Sequence, residues 1–166
     1  MGTFEIRGGN QLKGELVPQG AKNEALQIIS AVLLTPEKVT IKNIPDIIDI
    51  NKLISLLQAM GVTVEKTGNG TFTFEAKEIN IDYLNSADFK NKGGGLRGSI
   101  MIVGPLLARF GKGYIPKPGG DKIGRRRLDT HFLGFQKLGA EFHYDSNDHF
   151  YRAEAKQLKG AYMLLD

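Results

Sequence analysis

The cations of this chain fall where a protein can hold an anion. Lys22, followed by Asn23, stands at the start of an apolar helical stretch, and Arg97 stands at the start of another. Amide groups at a helix start lack intrahelical partners, and the helix dipole favours negative charge there. A lysine or arginine at such a point can complete a site for phosphate or carboxylate. The ammonium acts as a point charge, whereas the guanidinium grips two oxygens at once. Arg125, Arg126 and Arg127 form a run, with Lys112, Lys117 and Lys122 just upstream. Clustering of this kind suggests an anionic partner, either small phosphates or a nucleic acid backbone. Each feature also has a plainer reading: a solvated face for the run, a surface lysine at 22, and helix N-caps at Asn23 and Asp129. Asp121 follows two glycines and reads as a turn former. Gly93-Gly94-Gly95 allows close approach of a ligand or serves as a flexible linker.

Composition removes several other chemistries. The 166 residues contain no cysteine, so disulfides and thiolate metal sites are excluded. His131, His143 and His149 are too few and too scattered to suggest a metal centre. No apolar run reaches the roughly 18–20 residues needed to cross a bilayer, and the first residues lack the order of a signal peptide. The cytoplasm is the expected location. The net charge of +4 is modest. The aromatic residues read as core rather than as a platform for stacking bases.

The elements that must position these residues recur in order. Phe4–Arg7 and Glu15–Pro18 read as strands, and Ala25–Leu34 as a buried helix closed by Pro36. Val39, Ile41 and Ile44 suggest a strand. Ile50, Leu53, Ile54, Leu57 and Met60 keep helical spacing up to a capping Gly61. Val62–Glu65 and Thr71–Phe74 then form a hairpin around Gly68-Asn69-Gly70. The series returns as a buried helix over Leu96–Phe110, a strand at Tyr114–Pro116, an amphipathic helix over Leu128–Leu138 and a hairpin of Glu141–Tyr144 with Phe150–Ala153. Lys22 aligns with Arg97 and Gly61 with Gly139, which indicates an internal duplication. Gln11-Leu12-Lys13-Gly14 recurs as Gln157-Leu158-Lys159-Gly160, again followed by an expected apolar strand. A third copy therefore begins near the end, and the chain is expected to be a piece of a longer protein.

Gly20-Ala21-Lys22-Asn23, Leu96-Arg97-Gly98-Ser99, Gly104–Gly111 and Pro118-Gly119-Gly120-Asp121-Lys122-Ile123-Gly124 together resemble one family. It is UDP-N-acetylglucosamine 1-carboxyvinyltransferase, and the similarity runs over the whole chain. Several separated motifs in order are more specific than one glycine-rich loop. The resemblance implies an α+β protein, an enolpyruvyl transferase-like inside-out α/β barrel of repeated helix–sheet units, here incomplete. Residues 1–20 would belong to the other domain. Residues 21–166 would form an incomplete repeat domain, with units at about 21–90 and 91–156 and a third starting at 157–166.

The implied reaction transfers the enolpyruvyl group of phosphoenolpyruvate to the 3-hydroxyl of UDP-N-acetylglucosamine and releases phosphate. Neither a metal nor an organic cofactor is required, and no nucleic acid, membrane or obligate protein partner is expected. Lys22 matches a lysine that contacts phosphoenolpyruvate, and Asn23 matches a residue that hydrogen-bonds the sugar nucleotide. Arg97 matches a phosphate-binding arginine, and Arg126 one that contacts phosphoenolpyruvate in the closed state. Leu128 and Asp129 match the stretch holding the uridine end. Asp121 stands in a closing loop where most relatives carry a cysteine, and relatives commonly have proline at the Arg127 position. A carboxylate with a raised pKa can deliver a proton but cannot act as a soft thiolate. Insensitivity to fosfomycin, which alkylates that thiol, is therefore expected. A general-base aspartate and a further arginine of the family have no match here, so the chain alone is expected to show no turnover. The rival enzyme reading is the shikimate-pathway enolpyruvyl transferase. The rival class is an RNA-binding module, prompted by the arginine run and by a related repeat in RNA phosphate cyclases.

Overall fold

The structure is a computed structural model and describes residues 3–116, 127–146 and 150–164. Helix α1, Lys22–Ala31, continues through a 3-10 turn at Val32–Leu34, covering the expected helical span. Strand β1, Lys38–Ile41, follows. Helix α2, Ile48–Ala59, buries Ile50, Leu53, Ile54 and Leu57 on one face, as their helical spacing requires. Gly61 lies just beyond its end at φ +102°, a conformation that costs glycine little. Strands β2, Thr63–Gly68, and β3, Thr71–Glu75, form the expected hairpin. With β1 they make an antiparallel sheet of order β1-β3-β2.

The second series has the same plan. A 3-10 turn at Arg97–Ile102 leads into α4, Val103–Phe110, then β4, Lys112–Pro116, and α5, Asp129–Lys137. The hairpin of β5, Glu141–Asp145, and β6, Phe150–Glu154, completes a sheet of order β4-β6-β5. Even the first cross-strand pairs correspond: Lys38 faces Glu75 in one sheet and Lys112 faces Glu154 in the other. Opposite charges directly across a ladder favour that register.

Four expectations need correction. The helix over Leu96–Phe110 is not continuous, because Pro105 forbids it. An α-helix running on from Arg97 would require the Pro105 nitrogen to donate to the Met101 carbonyl, which its ring would also crowd. Restarting the helix at Val103 puts Pro105 in the first turn, where no donor is needed. Gly93-Gly94-Gly95 is not a linker either, since Gly93 and Gly94 close helix α3, Ala87–Gly94. The Ser86 hydroxyl caps that helix by accepting from the Phe89 amide at 3.1 Å, and Phe89 is fully buried. Cap and burial together outweigh the poor helix propensity of glycine.

The remaining two corrections concern the ends of the described chain. Phe4–Arg7 and Glu15–Pro18 form no strand, and residues 3–19 are exposed throughout. The segment after Gly160 forms no strand up to Leu164. A strand needs a neighbouring ladder to satisfy its amides and carbonyls, and neither segment is paired with one. The literal repeat Gln157–Gly160 does dock: the Lys159 amide donates to the Leu138 carbonyl at 2.9 Å, and Leu158 is half-buried.

One core joins the two series. Ile29, Leu33, Leu53, Leu57 and Phe74 pack with Leu96, Ile102 and Leu106. Arg109 ties them further, with its Nη1 donating to the Leu33 carbonyl at 3.1 Å and to the Ala76 carbonyl at 2.7 Å. A second cluster lies under β4 and β6 around Val103, Leu107 and Ile115. Helix α5 has no fully buried residue; Phe132 lies half-buried with its ring 5.0 Å from Phe142 and 4.8 Å from Tyr151. Phe74, Phe89 and Phe150 are fully buried.

Candidate functional site

Two close backbone approaches bring the cations together. Gly20, just before α1, lies so near Asn43 that a β-carbon on it would fall 2.0 Å from the Asn43 carbonyl oxygen. This contact lays the start of α1 against the segment leading into α2. Gly98, in the 3-10 turn after Arg97, faces the Leu26 side chain of α1; a β-carbon there would meet its methyl groups at 3.0 and 3.1 Å. The starts of the two helical series therefore share one corner of the molecule.

A cavity of about 320 Å³ opens at that corner. Lys22 and Asn23 line it from α1, Arg97 from the 3-10 turn, and Leu128 from the start of α5. This volume lies at the lower end of the range for small-molecule sites, ample for a phosphorylated three-carbon acid. Four of the seven residues singled out in the sequence thus line one cavity. The N-cap of α1 is Ala21, so Asn23 sits inside the first turn rather than capping it. Its side chain is thereby free of the role that the plainer reading gave it.

The plainer reading of Asp129 does not hold. Leu128 is the N-cap of α5, so Asp129 is not. Its carboxylate is engaged by the Arg127 guanidinium, with Nε donating at 3.0 Å and Nη2 donating to the other oxygen. The pair faces a different groove, beside Phe132 and Tyr144. These hydrogen bonds, with the carboxylate charge beside them, push the Arg127 pKa up. Asp121 and Arg126 lie outside the described residues, as do Arg125, Lys117 and Lys122.

Three lining residues with polar side chains were not singled out as site residues. Asp49, in the first turn of α2, accepts from the Lys22 ammonium at 3.1 Å. Gln27 comes from the second turn of α1, and His131 lines the cavity from α5. Gln27 could have been found from sequence: it stands four residues beyond Asn23, on the same helix face. Asp49 and His131 carry no such signal, because their elements meet α1 only through tertiary packing. His143 lies on β5, opposite Arg152, and His149 is outside the described residues. Among the described residues, no group of acidic and histidine side chains is arranged to hold a metal ion. No helix among them is long and apolar enough to cross a membrane.

The chain is 58% identical over all 166 residues to a UDP-N-acetylglucosamine 1-carboxyvinyltransferase of Bacteroides thetaiotaomicron, of which it covers 38%. It is 56% identical to the protein of the same name from Porphyromonas gingivalis, again covering 38%. The chain thus spans well under half the length of the curated relatives it matches. The crystal structure of the enolpyruvyl transferase NikO from Streptomyces tendae superposes with a TM-score of 0.70 at 22% identity. That match covers 91% of this chain and 32% of NikO, and it establishes the fold. The sequence profile of EPSP synthase (3-phosphoshikimate 1-carboxyvinyltransferase) matches residues 6–165, and the chain belongs to that family.

Proposed function

We propose that the protein takes part in transferring the enolpyruvyl group of phosphoenolpyruvate to the 3-hydroxyl of UDP-N-acetylglucosamine, with release of phosphate. This would be a step of peptidoglycan precursor synthesis in the cytoplasm. The observation that carries the reading is the meeting of Lys22 and Arg97 in one cavity, although 74 residues separate them in the chain. Protonation of the vinyl carbon leaves an electrophilic centre for the sugar hydroxyl. Loss of phosphate and a methyl proton from the resulting adduct restores the vinyl group. Both substrates are polyanions, so fixed cations and preorganised donors do most of the work. Lys22 and Arg97 would hold phosphate and carboxylate oxygens, helped by the first-turn amides of α1. Asn23 and Leu128 would contact the sugar nucleotide.

Arg126 would join the phosphate contacts, and Asp129 would serve the uridine end once its pairing with Arg127 is accommodated. Asp121 would replace the thiol of relatives as the proton-transferring group of the loop. Insensitivity to fosfomycin follows; mass spectrometry of the intact protein after fosfomycin treatment checks it, and a covalent adduct at Asp121 would sink the idea. The acceptor is tested by thermal unfolding with UDP-N-acetylglucosamine or shikimate 3-phosphate present. Protection by the sugar nucleotide, reduced in Arg97→Gln, supports the proposal. Protection by shikimate 3-phosphate alone would overturn it.

A further inference from the structure

A carboxylate on the wall of an anion site needs a reason. Among the described residues, Asp49 is the only acidic one lining the cavity, which it shares with the two cations that would bind phosphate. Its Oδ2 lies 3.1 Å from the Lys22 Nζ, joining the first turn of α2 to the first residue of α1. The side chains are 44% and 39% exposed, so solvent and ligands reach the pair and it can be separated. A carboxylate or phosphate entering the cavity meets the Asp49 charge and must take the ammonium from it. The Coulomb attraction that the ligand gains with Lys22 is reduced by what Asp49 loses.

We infer that Asp49 is a positioning residue that latches the Lys22 ammonium at the cavity wall and competes with the phosphate or carboxylate of the ligand for it. The inference rests on the reading of this cavity as the phosphoenolpyruvate site. Two effects act in opposition: the latch restrains a long, flexible side chain, and it also occupies that side chain's charge. Asp49→Asn separates them, because the amide oxygen still accepts from the ammonium while the charge is gone.

Phosphoenolpyruvate is titrated into the chain by calorimetry at fixed ionic strength. The proteins are wild type, Asp49→Asn, Lys22→Gln and the double variant, each first shown to keep its thermal unfolding transition. If Asp49→Asn does not fold, Asp49→Ser takes its place. The expected result is about two- to fivefold tighter binding in Asp49→Asn, the span set by half-exposed ion pairs. That gain should vanish in the Lys22→Gln background. Unchanged or weaker binding in Asp49→Asn would overturn the latch. Equal tightening in both backgrounds would also overturn it, since Asp49 would then act on the anion directly. Binding that is lost in Lys22→Gln but insensitive to Asp49→Asn leaves the site reading standing and removes only the latch. Absence of binding in every protein removes both.

Discussion

Replacing Gly20 by alanine tests whether the corner that joins α1 to the approach of α2 is as tight as the structure requires. Gly20 is not in a left-handed conformation, since it is absent from the positive-φ glycines. On backbone grounds alone, alanine should therefore help, by about 0.4–1 kcal/mol through reduced freedom of the unfolded chain. The added β-carbon, however, would fall 2.0 Å from the Asn43 carbonyl oxygen and 3.2 Å from Pro45 Cδ. The obstructing atom is backbone and is braced. Asn43 itself holds a left-handed conformation at φ 59°, and the Ile44 amide donates to the Gly70 carbonyl at 2.8 Å. Overpacking of this kind costs about 1–3 kcal/mol. The two effects have opposite signs, and a net loss of about 1–2 kcal/mol is expected. For a chain of this size that lowers the midpoint of thermal unfolding by roughly 2–8 °C. Circular dichroism measures it directly. A midpoint at or above that of wild type would refute the reasoning. The same variant should also bind phosphoenolpyruvate more weakly, because the clash shifts Lys22 relative to Arg97 in the cavity they share.

Other perturbations separate packing from charge. Gly98→Ala should cost less than Gly20→Ala in the same thermal scan, because its new methyl group meets the end of the Leu26 side chain, which can turn aside. Arg109→Met removes hydrogen bonds from a charged donor to the carbonyls of Leu33 and Ala76 and a longer one to that of Lys77, and urea unfolding should show a loss of about 3 kcal/mol or more. Arg109→Lys should recover only part of it, since an ammonium cannot reproduce the planar fork. Tyr83 should ionise above the ordinary phenol range in a phenolate absorbance titration. Burial raises its pKa first, and its 2.7 Å hydrogen bond to Asp88 and the Asp88 charge raise it further. A phenol with a raised folded pKa contributes stability that is complete below its ordinary value of about 10 and is lost as pH rises through the folded one. Tyr83→Phe should therefore remove that raised phase and flatten the alkaline decline in stability. Asp88 behaves in the opposite sense. Its hydrogen bonds, from Lys92 first and then Tyr83, lower its pKa, so its contribution is present above the ordinary carboxylate range and fades as pH falls through the folded value.

The sequence by itself determined the two helix–strand–helix–hairpin series, because each element buries one face and that face is written in its periodicity. Ile50, Leu53, Ile54 and Leu57 can share a core only as a helix, and Phe72 and Phe74 alternate with threonines as a strand must. Lys22 and Arg97 were legible as anion-binding candidates from charge at a helix start. The break at Val103 was also legible in Pro105, although apolar density masked it.

Tertiary structure alone decided which of these residues meet. The approach of Gly20 to Asn43 and of Gly98 to Leu26 depends on a missing β-carbon opposite one particular neighbour, and no local pattern names that neighbour. The same packing brought Asp49 and His131 to the cavity. It also left Phe4–Arg7 and Glu15–Pro18 without a ladder, because a strand exists only where a second one lies beside it.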